Sequence, residues 1–447
     1  AGRDVTQPFL SFLTQPGVPL IEAQLSCERG QPAQLKLHQT RYLPLGSAGD
    51  PKQTWQIPVC ARYEVAGLMR ESCGLLSASD GALTLDGKGC PSWVMPNADG
   101  AGYYRFRLAS ADLEHLQERG WSKLSARERY VLLQALIAGF SADTVSAAEL
   151  LGSMPKFAAD EERVVALLPL GQLRYLREHW LARAELSANA RTVLSLRFSG
   201  YVRGMYGATA QRLGLVAQKG ESGDTRLMRA QVLTAMCDLA NDIGLRTALA
   251  RLGRQYLGLD DAGATNTTRT LHPELVASEL QDLAVRMLVE QGDDAIWHTV
   301  YQRFTETQDA TERARYLGAL AAVRDTRASA ALNLVLDPTL RVNEVMLPLR
   351  QQLADYRTRP IAYNYFEQHF DQLSERLSPE AMGSTPWLAV GQCDQAQAAR
   401  IHAFFAPRIQ KLPGGPRSLG GALEALGLCD ALFKAQNEQL DAYFGKL

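Results

Sequence analysis

Along this chain the spacing of apolar residues changes once, near residue 108, and does not change back. Trp55, Ile57, Val59, Ala61, Tyr63 and Val65 fall on alternate positions, the period of a strand with one buried face. Tyr104, Phe106 and Leu108 repeat it with Arg105 and Arg107 turned the other way, and Leu35/Leu37 and Leu83/Leu85 belong to shorter runs. Between them lie turn formers: Gly46-Ser47-Ala48-Gly49-Asp50-Pro51, Asp80-Gly81 and Asp86-Gly87. Short alternating runs separated by turns predict a small antiparallel β-sandwich over residues 1–108.

From 109 to 447 the period is helical, which predicts a large all-α domain, and 447 residues exceed the size of a single core. Ser125 with Glu128 and Ser146 with Glu149 match the capping box that opens a helix. Pro273 to Gln291 reads as one helix, with Val276, Leu280, Leu283, Met287 and Leu288 on its apolar stripe and Gly292 as its stop. Asp309 with Glu312 opens another. Gly200, Gly204 and Gly207 predict a helix break or a close helix contact, and Asp160-Glu161-Glu162-Arg163 a solvated helix start. Successive helices with short breaks predict stacked pairs, a superhelical α-solenoid of HEAT or armadillo type, although no consensus repeats between the pairs.

Charge narrows the function. The 47 basic and 48 acidic residues nearly cancel, so no basic surplus exists for nucleic acid. No apolar run reaches the length of a membrane span. The opening Ala1-Gly2-Arg3-Asp4 lacks methionine and an apolar signal segment, which suits a trimmed fragment or a processed chain. The seven cysteines include no C-x-x-C, so zinc ligation by cysteine is not expected. Cys73 and Cys90 bracket a glycine-rich loop, and Cys393 and Cys429 lie near helix ends. Each pair fits either a disulfide or two buried thiols. Cys237 reads as a plain core residue.

Five strings carry a family resemblance. Phe12-Leu13-Thr14-Gln15-Pro16-Gly17-Val18-Pro19-Leu20-Ile21 is followed by Gln39-Thr40-Arg41-Tyr42 and Trp55-Gln56-Ile57-Pro58-Val59. Trp93-Val94-Met95-Pro96-Asn97-Ala98-Asp99-Gly100-Ala101-Gly102-Tyr103-Tyr104-Arg105 fits W-x-x-x-N-x-x-x-x-G-Y-Y-R. Leu340-Arg341-Val342-Asn343-Glu344-Val345 is similar to I-R-x-Q-D-V, with Asn for Gln and Glu for Asp. In this order they resemble the region after the catalytic domain in zinc aminopeptidases of the aminopeptidase N type. The match is specific in the first hundred residues and looser afterwards.

The resemblance implies a non-catalytic C-terminal portion that caps the active-site chamber, restricts access to peptide ends and contacts substrate beyond the scissile bond. Its partners would be its own N-terminal catalytic domain and the peptide. It implies no cofactor in this chain and zinc in that other domain. None of the seven histidines belongs to H-E-x-x-H, which binds zinc through two imidazoles one helical turn apart, and the amine-binding Gly-Ala-Met-Glu-Asn segment is absent. The chain alone is therefore expected to be inactive. By matching position Arg341 would face the substrate channel and pair with a peptide carboxylate, with Glu344 steadying it or capping its helix. An intramolecular salt bridge is the competing role for Arg341. Bacterial relatives are often exported, which implies a bacterial source, disulfides at Cys73/Cys90 and Cys393/Cys429, and a periplasmic or secreted location, with the cytoplasm as the alternative. The rival function is a stand-alone α-solenoid that binds peptides or proteins without enzyme activity.

Overall fold

A computed structural model describes residues 6–259 and 270–446. It has a small β region followed by a large all-helical domain, and the chain separates into two compact units, Ala1–Pro169 and Leu170–Leu447. The strands end at Leu108, but the helices up to Ala166 belong to the first unit.

The strands are β1 (Pro19–Ser26), β2 (Gln34–Arg41), β3 (Ile57–Val65), β4 (Leu68–Leu76), β5 (Asp80–Thr84), β6 (Trp93–Met95) and β7 (Arg105–Leu108). They form a four-stranded sheet, β5-β2-β1-β7, and a three-stranded sheet, β4-β3-β6. Alternation holds along β3, where Ile57, Val59, Ala61, Tyr63 and Val65 are all buried. The β3–β4 hairpin closes on Ala66 and Gly67, both at positive φ (50° and 75°), the backbone that a two-residue hairpin loop requires. The expected all-antiparallel arrangement is corrected at one edge. β7 runs parallel to β1, pairing Ile21 with Phe106, because the intervening strands supply the long crossover that parallel neighbours need.

The predicted pairing of Cys73 with Cys90 is also corrected. Cys73 lies opposite Cys60 in the β3–β4 register and is bonded to it, while Cys90 is bonded to Cys27, just beyond β1. Proximity along the chain misled here, since strand register decides which sulfurs meet. Cys393 is bonded to Cys429, with Cα atoms 5.2 Å apart, and Cys237 is a buried free thiol.

The W-x-x-x-N string is a closed loop. Asn97 donates to the Gly102 carbonyl (3.1 Å) and accepts from the Gly102 N–H (2.8 Å), while the Tyr104 hydroxyl donates to the Pro96 carbonyl (2.7 Å). Trp93 is buried and donates to Glu64. Ser125 and Glu128 form the full capping box of the helix Ala126–Ser141. Glu128, fully buried, also takes Arg62 and the Asp99 N–H. Ser146 caps Ala147–Ala158 through the Glu149 N–H. Asp160 is not simply solvated: it is bound by Arg129 at 2.6 Å with only 4% of its side chain exposed.

Two helical expectations in the second unit change. The helix expected from Pro273 begins at Gln281, preceded by short 3-10 turns at Pro273–Leu275 and Ser278–Leu280. Val276 is extended between them (φ −132°, ψ 126°), so the capping proline opens only a single turn. Gly200, Gly204 and Gly207 lie inside one continuous helix, Ala188–Leu213. A Cβ on Gly200 or Gly204 would meet nothing within 4 Å, so neither a break nor a tight contact explains them. The close helix approach is at Gly253, where a Cβ would collide with the Ala284 carbonyl. Asp309 caps Ala310–Leu320 as expected. Among the described residues no helix is long and apolar enough to cross a membrane.

Candidate functional site

The helical unit holds a polar cavity of about 490 Å³ at the ends of successive helices. Arg177 comes from Leu168–Trp180, and Ser195, Ser199 and Arg203 from one face of Ala188–Leu213. Asp238 ends the helix Gly223–Asp238, Arg246 lies on Ile243–Tyr256, and Glu290 lies in the last turn of Gln281–Gln291. Arg324 and Asp325 follow Ala310–Leu320, and Tyr356 and Arg357 join Met346–Leu353 to Arg359–Gln368. Five guanidiniums thus face three carboxylates, an excess of two positive charges.

Two buried carboxylates, Glu290 and Asp355, and the partly buried Asp238 organise these arginines and the neighbouring Arg286. Glu290 receives Arg246 (3.0 Å), Arg286 (3.1 Å) and Arg324 (3.1 Å). Asp238 takes Arg286 through both oxygens, at 2.8 and 3.2 Å. Asp355 takes Arg324 at 2.7 Å and Arg357 through both oxygens, at 2.8 and 2.7 Å. Burial pushes the Asp238 and Asp355 carboxyls upward, but the surrounding guanidiniums outweigh it and hold both below the ordinary aspartate range. Arg177 and Arg357 both lie within cation–π distance of the Tyr356 ring, at 5.7 and 5.9 Å. Cys237 also lines the cavity, its thiol pushed up to about 12, chiefly by burial.

Arg341 and Glu344 do not line this cavity. Glu344 is buried and takes Arg313 through both oxygens (3.0 and 2.8 Å), while it also caps the Arg341 N–H (2.8 Å). The Arg313 guanidinium lies 4.3 Å from the centre of the Phe304 ring. Arg341 itself is exposed, and among the described residues its guanidinium has no ion-pair partner. Glu178 accepts from the Tyr356 N–H (2.6 Å) and from Arg359 (3.2 Å), and His179 packs edge-on against Tyr175. Both therefore serve packing. The cavity arginines, scattered between 177 and 357, went unrecognised in the sequence, where no local spacing distinguishes them from solvated helix ends.

Zinc does not fit these residues. Among the described residues, candidate clusters are His179 with Cys393 and Cys429, and Glu71 with Cys60 and Cys73. In each the sulfurs are already joined to one another and offer no thiolate.

The ERAP1-like C-terminal domain matches residues 93–427. The chain belongs to that family. Aminopeptidase M1 of Arabidopsis thaliana is 25% identical over 444 residues, covering 95% of this chain and 47% of the relative. Aminopeptidase M1-A of Oryza sativa subsp. japonica is 24% identical over 396 residues, covering 85% of this chain and 41% of the relative. The chain thus spans less than half the length of these relatives. They are plant proteins, and a bacterial source finds no support in them.

Proposed function

We propose that this chain is the non-catalytic C-terminal portion of a zinc metallo-aminopeptidase that removes N-terminal residues from peptides. The observation that carries this reading is the family match over residues 93–427. The aminopeptidase relatives support it, as does the lack of H-E-x-x-H in this chain. In this reading the helices stack as a HEAT- or armadillo-like superhelix that caps the active-site chamber, limits access to peptide ends and touches the peptide beyond the scissile bond. Zinc and the attacking water belong to an attached N-terminal domain.

An apolar surface of the first unit is consistent with such an attachment. Phe9 and Tyr103, 63% and 70% exposed, border an apolar cavity of about 370 Å³, the kind of surface an interface covers. The three disulfides favour an oxidising compartment, periplasmic or extracellular, over the cytoplasm.

The test is zinc content and hydrolysis of aminoacyl amides, measured for the chain alone and for the product of its complete reading frame. The complete product should bind zinc stoichiometrically and hydrolyse, and the chain alone should do neither. In the complete product Arg341→Ala should raise KM for short peptides at unchanged melting temperature. A complete product without zinc or activity would favour a stand-alone peptide-binding module.

A further inference from the structure

We propose that the arginine-lined cavity of the helical unit is a binding site for a compact, doubly charged oxyanion. The inference stands on the cavity alone and does not depend on the aminopeptidase reading. Its lining carries five guanidiniums against three carboxylates, and like charges gathered in one cavity repel unless an anion joins them. The carboxylates that fix these arginines are themselves buried, Glu290 and Asp355 with 5% and 4% of their side chains exposed. Arg246, Arg324 and Arg357 are thus held in place before any ligand arrives, and pre-organised donors bind more tightly.

The other two keep donors to spare. Arg203 donates to the Ala240 carbonyl at 2.8 Å and meets no carboxylate among the described residues. Arg177 approaches Glu178 and Asp355 only at 3.5 and 3.6 Å, longer than a hydrogen bond. Each guanidinium carries five N–H groups in a planar fork that matches two oxygens of one anion. The surplus of two positive charges matches a dianion, and a cavity of about 490 Å³ has room for one. Inorganic phosphate has this chemistry, and so does a short peptide bearing two carboxylates.

The test uses the purified chain, with ionic strength held constant by chloride. Inorganic phosphate should raise the melting midpoint of the helical unit and give a saturable isotherm by titration calorimetry. Arg203→Gln should weaken that binding about tenfold, the scale of one charged hydrogen bond. Arg203→Lys, which keeps the charge and loses the fork, should weaken it less. Arg212→Gln, at an exposed position on the same helix, removes the same charge outside the cavity and should leave binding intact. A second arm titrates an acidic dipeptide and its uncharged amide. Binding of the acid but not the amide would identify peptide carboxylates as the source, and binding of phosphate alone would identify the free ion. The proposal fails if neither anion binds beyond chloride, or if Arg203→Gln and Arg212→Gln weaken binding equally.

Discussion

Replacing Glu344 by alanine separates a structural carboxylate from a substrate contact. In the wild-type chain Glu344 meets Arg313 through two hydrogen bonds of 3.0 and 2.8 Å, with 11% and 5% of the two side chains exposed. Removing the carboxylate leaves a guanidinium over Phe304 with only the Phe304 and Thr339 carbonyls to accept from it. A buried charge stripped of its partner costs about 3–5 kcal/mol. Arg341→Ala removes an exposed side chain without an ion-pair partner and should stay within about 0.5 kcal/mol. At roughly 2–4 °C per kcal/mol for a unit of this size, Glu344→Ala should lower the melting midpoint by on the order of 10 °C, and Arg341→Ala should barely move it. The measurement is a thermal melt followed by helical circular dichroism, resolved into two transitions because the chain has two units. A double variant, Arg313→Met with Glu344→Leu, should recover most of the loss, since an apolar pair of similar size replaces the ion pair. A loss below about 1 kcal/mol for Glu344→Ala, or an equal loss for Arg341→Ala, would refute the reasoning.

Burial, assisted by the Arg359 guanidinium, depresses His179 to about 3 from its ordinary 6.5. Between those values the unfolded chain takes up a proton that the folded chain refuses, so stability falls as pH drops. At pH 5 the loss is about 2 kcal/mol. His179→Gln should flatten that slope in denaturant titrations from pH 7 to 4, and an unchanged slope would show that His179 does not cause it. The Cys393–Cys429 bond spans 36 residues, and replacing both by serine should cost about 4 kcal/mol on loop entropy. Urea midpoints of the double variant check this, with no shift as the contrary result. Cys237, 1% exposed with its thiol raised to about 12, should resist alkylation at neutral pH until the helical unit unfolds. Mass spectrometry of the alkylated native protein reads this out, and rapid labelling would contradict the burial.

Local spacing was enough to determine what depends on neighbouring residues. The alternation through Trp55 and Val65 follows from one buried strand face, and the Ser125/Glu128 box from orphan N–H groups at a helix start. The position where strands give way to helices follows from the same periodicities. Leu340 to Val345 was legible as a motif, but the sequence could not say that Glu344 would turn inward to Arg313, thirty-one residues away, rather than serve Arg341's side chain. The disulfide partners of Cys73 and Cys90 depended on strand register, and register is a pairing between distant segments. The arginine cavity shows the same dependence. Its residues are ordinary where they stand in the chain, and they gather around shared carboxylates only because six or more helix ends and connecting turns meet. Charges act through space, so where they collect was decided by the tertiary structure.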